Sequence, residues 1–215
     1  MGEAKRRRLH CAYCGAPATS SDHVPPRSLF ALDRTNLITV PSCDAHNGKR
    51  SGLDERFREF VSLYVSDETA TTAALWETMA RGIRRNKKRQ DEIRSGRTFL
   101  SELNRFAIPV DATVVQPVLE QITRGLYWHC YKERLPQEVT IDARLMKVGD
   151  WMLSDEIGSM ARTSVADGQF LFLHQQVTPH PTISAWLYVF HRRMVGMAVT
   201  DPVLADQLTV PSSRS

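Results

Sequence analysis

The chain is short of cysteine, with four in 215 residues. That is too few for a disulfide scaffold, and a reducing compartment would keep the thiols free. It also lacks any long apolar run. The longest, ISAWLYVF at 183–190, falls far below the roughly 20 residues that a spanning helix needs. No apolar stretch follows the basic start MGEAKRRRLH, so a secretory leader is not expected. Together these absences predict a cytoplasmic protein with no membrane partner. No internal repeat is visible, which sets aside solenoids and propellers. With 42% hydrophobic residues, the chain can bury one sizeable core, or one core and a small satellite.

Charge of one sign is only mildly in excess, at +4 with a pI near 9.0. The total leans towards a polyanionic partner, and the distribution says more. Lys5, Arg6, Arg7 and Arg8 open the chain as a basic arm over residues 1–8. A second block spans Arg81 to Arg97 and includes Arg84, Arg85, Lys87, Lys88 and Arg89. Nucleic-acid backbone contact and a merely solvated helix face both suit such a run.

Residues 9–50 carry much punctuation and little helical periodicity: Gly15, Pro17, Pro25, Pro26, Pro41 and Gly48. A segment with so little apolar material needs a staple. Leu37 to Val40 reads as a short strand stopped by Pro41. From Leu53 the pattern becomes helical, with Leu53, Phe57, Phe60, Val61 and Tyr64 on one face. A second helix follows a cap at Ser66 or Asp67. A third covers the basic block to about Leu103, and a fourth begins near Asp111 and meets Pro117. After Pro136 the runs EVTIDARLMKV, QFLFLHQQV, ISAWLYVF and MVGMAVT read as strands, with a helix between them over 149–161. The expected class is α+β: a stapled module at 9–65, an α+β region at 66–208 with helices to about 135 and an antiparallel sheet after, and a disordered tail at 209–215.

The cysteines supply the staple. Cys11 and Cys14 form one two-residue-gap pair, and Cys43 and His46 form another. Three thiolates and one imidazole are a donor set that tetrahedral Zn²⁺ takes in structural sites, which leave no open position for chemistry. His10 is a competing imidazole. Cys130 stands apart and reads as an unrelated thiol. His129, His174, His180 and His191 have no partner pattern and read as structural or surface residues. The aromatic run LYWHCY reads as core packing.

Between and just beyond the two pairs stand Asp22 and His23 in DHVPP, then Asn36, then Asn47 in HNGK. This order resembles the HNH endonuclease family, whose zinc-bearing members share a ββα-metal finger; the likeness covers residues 9–60 only. The resemblance implies a phosphodiester hydrolase, with DNA as the favoured partner. It implies His23 as general base, Asp22 and Asn47 as ligands of one Mg²⁺ or Mn²⁺ ion, and Asn36 as the residue that orients the base. An imidazole is half-neutral near pH 6.5 and can accept a proton at physiological pH. Neighbouring side chains in a strand point to opposite sides, so Asp22 and His23 can divide the two roles. Pro25 and Pro26 would stiffen the exit from that strand, and Lys49 and Arg50 would meet backbone phosphates beside the site. Family members often carry His where Asn47 stands, and some carry another where Ser51 stands; Asp54 is the nearest substitute ligand. Many relatives have Cys where His46 stands, and a rival assignment gives His46 to the catalytic ion.

Three readings therefore stand open: a DNA endonuclease, a ribonuclease or toxin using the same finger, and a zinc module that binds nucleic acid or protein without catalysis. Two cuts on opposite strands usually need two sites, which makes a homodimer a natural form of the first. A compact nuclease of this kind accords with a bacterial or phage source.

Overall fold

The structure, a computed structural model, describes residues 9–48, 51–65, 69–96, 98–100, 105–107, 111–146 and 158–209. The basic arm with Lys5, Arg6, Arg7 and Arg8, then Lys49 and Arg50, most of the helix expected over 149–161, and the tail beyond 209 lie outside the described residues.

A hairpin of β1 (Ser20–Val24) and β2 (Ile38–Ser42) comes first, joined by a loop that includes a 3₁₀ turn (Arg27–Leu29). Strand β2 runs through Pro41 rather than stopping there. The carbonyl of Pro41 accepts from Ala12 N (2.9 Å) on the side of β2 away from β1. Its missing N–H therefore falls on the side of β2 away from β1, where no bond of the β1–β2 ladder is lost and proline is tolerated. The short helix α1 (Asp44–Asn47) follows.

Helix α2 (Ser51–Val65) buries Phe57, Val61 and Val65 at four-residue spacing, while Tyr64 remains exposed. Helix α3 (Ala70–Arg84) is capped by Thr69, whose hydroxyl accepts from Thr72 N while Thr72 returns a bond to the cap. The sequence expectation of Ser66 or Asp67 is corrected: a threonine pair completes the capping box. Helix α4 (Lys87–Gly96) ends at a glycine, and the chain turns into β3 (Thr98–Leu100) paired with β4 (Arg105–Ala107). The helix expected to reach Leu103 is thus shorter. Thr98 and Phe99 favour strand, and Gly96 separates them from the helical run.

Helix α5 (Ala112–Tyr131) runs unbroken through Pro117, with Asp111 capping Thr113 N at 3.1 Å. Strands β5 (Ile141–Met146), β6 (Ala161–Val165), β7 (Phe170–Val177), β8 (His180–Phe190) and β9 (Met194–Thr200) form one antiparallel sheet in the order β5-β9-β8-β7-β6. A last helix, α6 (Pro202–Thr209), follows. The molecule is thus mixed helix and antiparallel sheet, as its sequence pattern predicts. Period-2 alternation sorts the sheet's two faces. Phe170, Phe172, Trp186, Tyr188 and Phe190 face one way, and Leu173, Leu187, Val189 and Val195 face the other.

Helix α5 lies over the aromatic face, where Thr123 and Tyr188 share a buried hydrogen bond of 2.7 Å. The same helix packs on the hairpin. One hydrophobic cluster therefore extends from Cys11, Tyr13, Val24 and Val40 through Phe57, Leu119 and Ile122 to Trp186 and Ala198. Gly125 makes this contact possible. A Cβ there would lie 2.6 Å from Val24 Cγ2 and 3.1 Å from the Tyr13 hydroxyl. No helix among the described residues is long and apolar enough to cross a membrane.

Candidate metal centre and cleft

Gly15 adopts a left-handed φ of 78° just after the first cysteine pair, a backbone state that costs glycine little. The turn it completes is closed by Gly15 N donating to Cys11 O (2.9 Å) and Cys11 N donating to Ala16 O (2.7 Å). Cys43 sits at the start of α1, so the first turn of that helix brings His46 back over it. Cys11, Cys14, Cys43 and His46 thereby place their donor atoms within 4.8 Å of one another. The spacings are 3.8 Å for Cys14 Sγ to Cys43 Sγ, 3.8 Å for Cys11 Sγ to His46 Nδ1, and 3.3 Å for Cys43 Sγ to His46 Nδ1. Tetrahedral zinc with Zn–S of about 2.3 Å and Zn–N of about 2.0 Å implies edges of about 3.8 and 3.5 Å. The cluster could hold such an ion. His46 stands with the thiols and does not line the neighbouring cleft. His10 is outside the cluster and donates from Nδ1 to the Gly15 carbonyl at 2.9 Å.

That cleft opens beside the cluster, between the hairpin and α2, with a volume of about 380 Å³. Asp22, His23, Arg27, Asn47, Ser51, Asp54 and Arg58 are among its walls. The register pairs Asp22 with Val40, Val24 with Ile38, and His23 with Thr39. Asp22 therefore shares the hairpin's buried face with Val24, Ile38 and Val40, while His23 projects from the opposite face beside exposed Thr39. On the buried side, Asp22 Oδ2 accepts from the Tyr13 hydroxyl (2.7 Å) and from Gln121 Nε2 of α5 (2.7 Å). Asn47 donates from Nδ2 to Ser20 Oγ (2.9 Å) and to the Ser21 carbonyl (3.3 Å). With its nitrogen so used, the side-chain oxygen is the atom Asn47 has left to offer. One carboxylate oxygen and one amide oxygen are the hard donors that Mg²⁺ or Mn²⁺ takes together with water. The two residues fit that role.

Burial raises the Asp22 carboxyl above its ordinary value, opposed by the bonds from Tyr13 and Gln121. His23 is held below its ordinary value first by burial and then by Arg27, with Asp22 pulling the other way. The imidazole is thus the neutral, proton-accepting form at pH 7. Arg58 donates from Nη2 to Glu55 Oε1 (3.3 Å), and its buried Nε has no partner among the described residues.

Asn36 is placed elsewhere. It is exposed, adopts a left-handed φ of 56° in the turn before β2, and does not line the cleft. Asparagine is among the few residues that take this conformation readily. In the basic block, Arg84, Arg85, Lys87 and Lys88 are exposed around the α3–α4 corner. Arg89 is not available in the same way: its Nε donates to buried Glu59 (2.6 Å) and its Nη1 to Glu92 (2.8 Å). It is a structural ion pair that a count of charges cannot distinguish from a ligand-binding one. Cys130 is half-buried, and its thiol is pushed up to about 11 by burial. Its chemistry is inert at neutral pH.

Arg27 and Arg58 of the cleft wall, and Tyr13 and Gln121, which bond Asp22 from outside the cleft, are the residues that the sequence did not single out. Tyr13 lies inside the first cysteine pair, which was the one local signal. Nothing local marks Gln121 or Arg58. Comparison with protein-family models, with curated proteins and with solved structures returns no match for this chain.

Proposed function

We propose that the chain is a metal-dependent endonuclease of the HNH type that hydrolyses phosphodiester bonds in DNA. One observation carries the reading. The adjacent Asp22 and His23 and the distant Asn47 line a single cleft beside a Cys₃His cluster. In this reading the hairpin and the α1–α2 region form the ββα-metal finger, and zinc at the cluster closes it.

A divalent ion bound between Asp22 and Asn47 would supply charge stabilisation for the scissile phosphate and its leaving oxygen. The remaining work falls to the chain. His23, neutral and lining the cleft with Asp22, accepts the proton of the attacking water at an imidazole nitrogen. Asp22, held by two donors on one oxygen, offers the other. Arg27 and Arg58 bring positive charge to the cleft wall where a phosphate would sit. Arg84, Arg85, Lys87 and Lys88 hold the backbone without reading sequence.

A catalytic reading is favoured over a pure binding module because the latter has no use for a neutral imidazole beside an oriented carboxylate in an open cleft. The test is cleavage of supercoiled plasmid with Mg²⁺ or Mn²⁺ by the zinc-loaded chain and by His23→Ala. Nicking or linearisation by the wild type, lost in a folded variant with unchanged zinc, is the expected outcome. If neither cuts DNA but both retard it on a gel, the binding module takes the place of this reading. Cleavage of RNA alone would reassign the substrate.

A further inference from the structure

Asp22 is held by the far part of the chain. Its Oδ2 receives two neutral donors, the Tyr13 hydroxyl and the Gln121 amide, each at 2.7 Å. Tyr13 is 3% exposed, and its ring stacks on His46 with centroids 5.3 Å apart and planes at 24°. The tyrosine therefore joins the Cys₃His cluster to the cleft carboxylate. Gln121 comes from α5, and its Nε2 also approaches the His46 carbonyl at 3.5 Å. Its Oε1 is buried with no partner among the described residues. Leaving a buried carbonyl unpaired is unfavourable. Turning the amide over would be worse, because it would set Oε1 against Asp22 Oδ2. The amide is thus held in an orientation whose use is the bond to Asp22. Gly125, one turn further along α5, gives the close approach that lets Gln121 reach.

We infer that Tyr13 and Gln121 are positioning residues that clamp Oδ2 of Asp22, fix the rotation of its carboxylate, and so present Oδ1 to a divalent cation together with Asn47. The inference rests on the proposed nuclease reading and deepens it. The cleft walls all come from residues 22–58, but the hold on Asp22 is completed by Gln121 of α5, so the N-terminal finger alone lacks one of the two donors. Neutral donors suit this role better than an arginine, whose charge would compete with the cation for the same carboxylate. Partners that orient a metal-ligating group change metal affinity by about 10- to 100-fold when removed.

The experiment measures Mn²⁺ binding to the zinc-loaded full chain by calorimetry, together with the Mn²⁺ dependence of plasmid cleavage. The wild type is compared with Gln121→Met, Tyr13→Phe and Asp22→Asn; methionine keeps the length of glutamine without its donor. Zinc content and melting temperature are recorded for each. Expected for the methionine and phenylalanine variants is a Kd for Mn²⁺ raised about 10- to 100-fold, with kcat at saturating Mn²⁺ little changed and zinc retained. A merely structural role would lower the melting temperature and leave the Kd where it was. Unchanged Kd in both variants, with binding abolished by Asp22→Asn, overturns the clamp alone. Mn²⁺ binding that survives Asp22→Asn, or is absent from the wild type, overturns the nuclease reading and the clamp with it.

Discussion

Gly125 offers a test of the helix–hairpin packing that brings Gln121 to Asp22. In an ordinary helix interior, Gly→Ala stabilises by about 1 kcal/mol, because alanine has less backbone freedom to lose. At Gly125 the added Cβ would stand 2.6 Å from Val24 Cγ2 and 3.1 Å from both Val24 Cγ1 and the Tyr13 hydroxyl. Val24 is 2% exposed and β-branched, so it has no alternative rotamer into open space. Overpacking of this kind costs about 1–3 kcal/mol. Set against the propensity gain, the net for Gly125→Ala is a destabilisation of about 0–2 kcal/mol. In a chain of this length, 1 kcal/mol moves the melting temperature by about 2–4 °C. Gly82 in α3 is the matched control, since nothing lies within 4 Å of a Cβ there. Urea denaturation of both variants should move in opposite directions, Gly82→Ala up by about 1 kcal/mol and Gly125→Ala level or down. Adding Val24→Ala should relieve the clash, making the double variant less destabilised than the sum of the singles. A Gly125→Ala protein stabilised as much as Gly82→Ala would refute the close helix–hairpin contact.

Three further outcomes follow from the geometry. Arg89→Ala leaves Glu59 buried without its partner and should cost about 2–3 kcal/mol, whereas Lys88→Ala should stay within about 0.5 kcal/mol and instead reduce the salt dependence of DNA binding; denaturant melts and a salt titration of affinity separate the two. Metal analysis should find one zinc per chain. Its removal by a strong chelator, or Cys43→Ser, should unfold the hairpin as seen by amide exchange, because zinc at such sites contributes on the order of 10 kcal/mol; a zinc-free protein with unchanged protection would dismiss the staple. Burial holds His191, and likewise His129 and His174, below the ordinary imidazole value. Below about pH 6.5 the unfolded chain takes up protons that the folded one refuses, so stability falls on acidification, by up to about 1.4 kcal/mol per pH unit for His191. Urea midpoints at pH 7.5 and 5.5 should show this loss, with a flatter slope in His191→Gln.

Where one element carries its own signal, the sequence was readable. The paired spacings of Cys11, Cys14, Cys43 and His46 sufficed because each pair closes within one turn, and the structure gathers those four donors. Apolar alternation gave the sheet strands with aromatic faces, while β6, the polar run ARTSV, left no such trace. The basic block shows the limit most plainly. Arg84, Arg85, Lys87, Lys88 and Arg89 look alike in sequence, yet only the last has Glu59 reaching it from another helix. Asn36 illustrates the same limit from the other side: its place in the motif order pointed to the base, and its backbone shows a turn. Gln121 was beyond reach because its meaning lies in Asp22, 99 residues away.

That separation also sets an order of events in the making of the protein. The cysteine pairs and the hairpin lie within the first 48 residues and leave the ribosome early. A nascent chain shorter than 121 residues can gather its zinc ligands, yet its Asp22 still lacks the second donor. The hold on Asp22 is therefore completed only after more than half of the polypeptide has been synthesised.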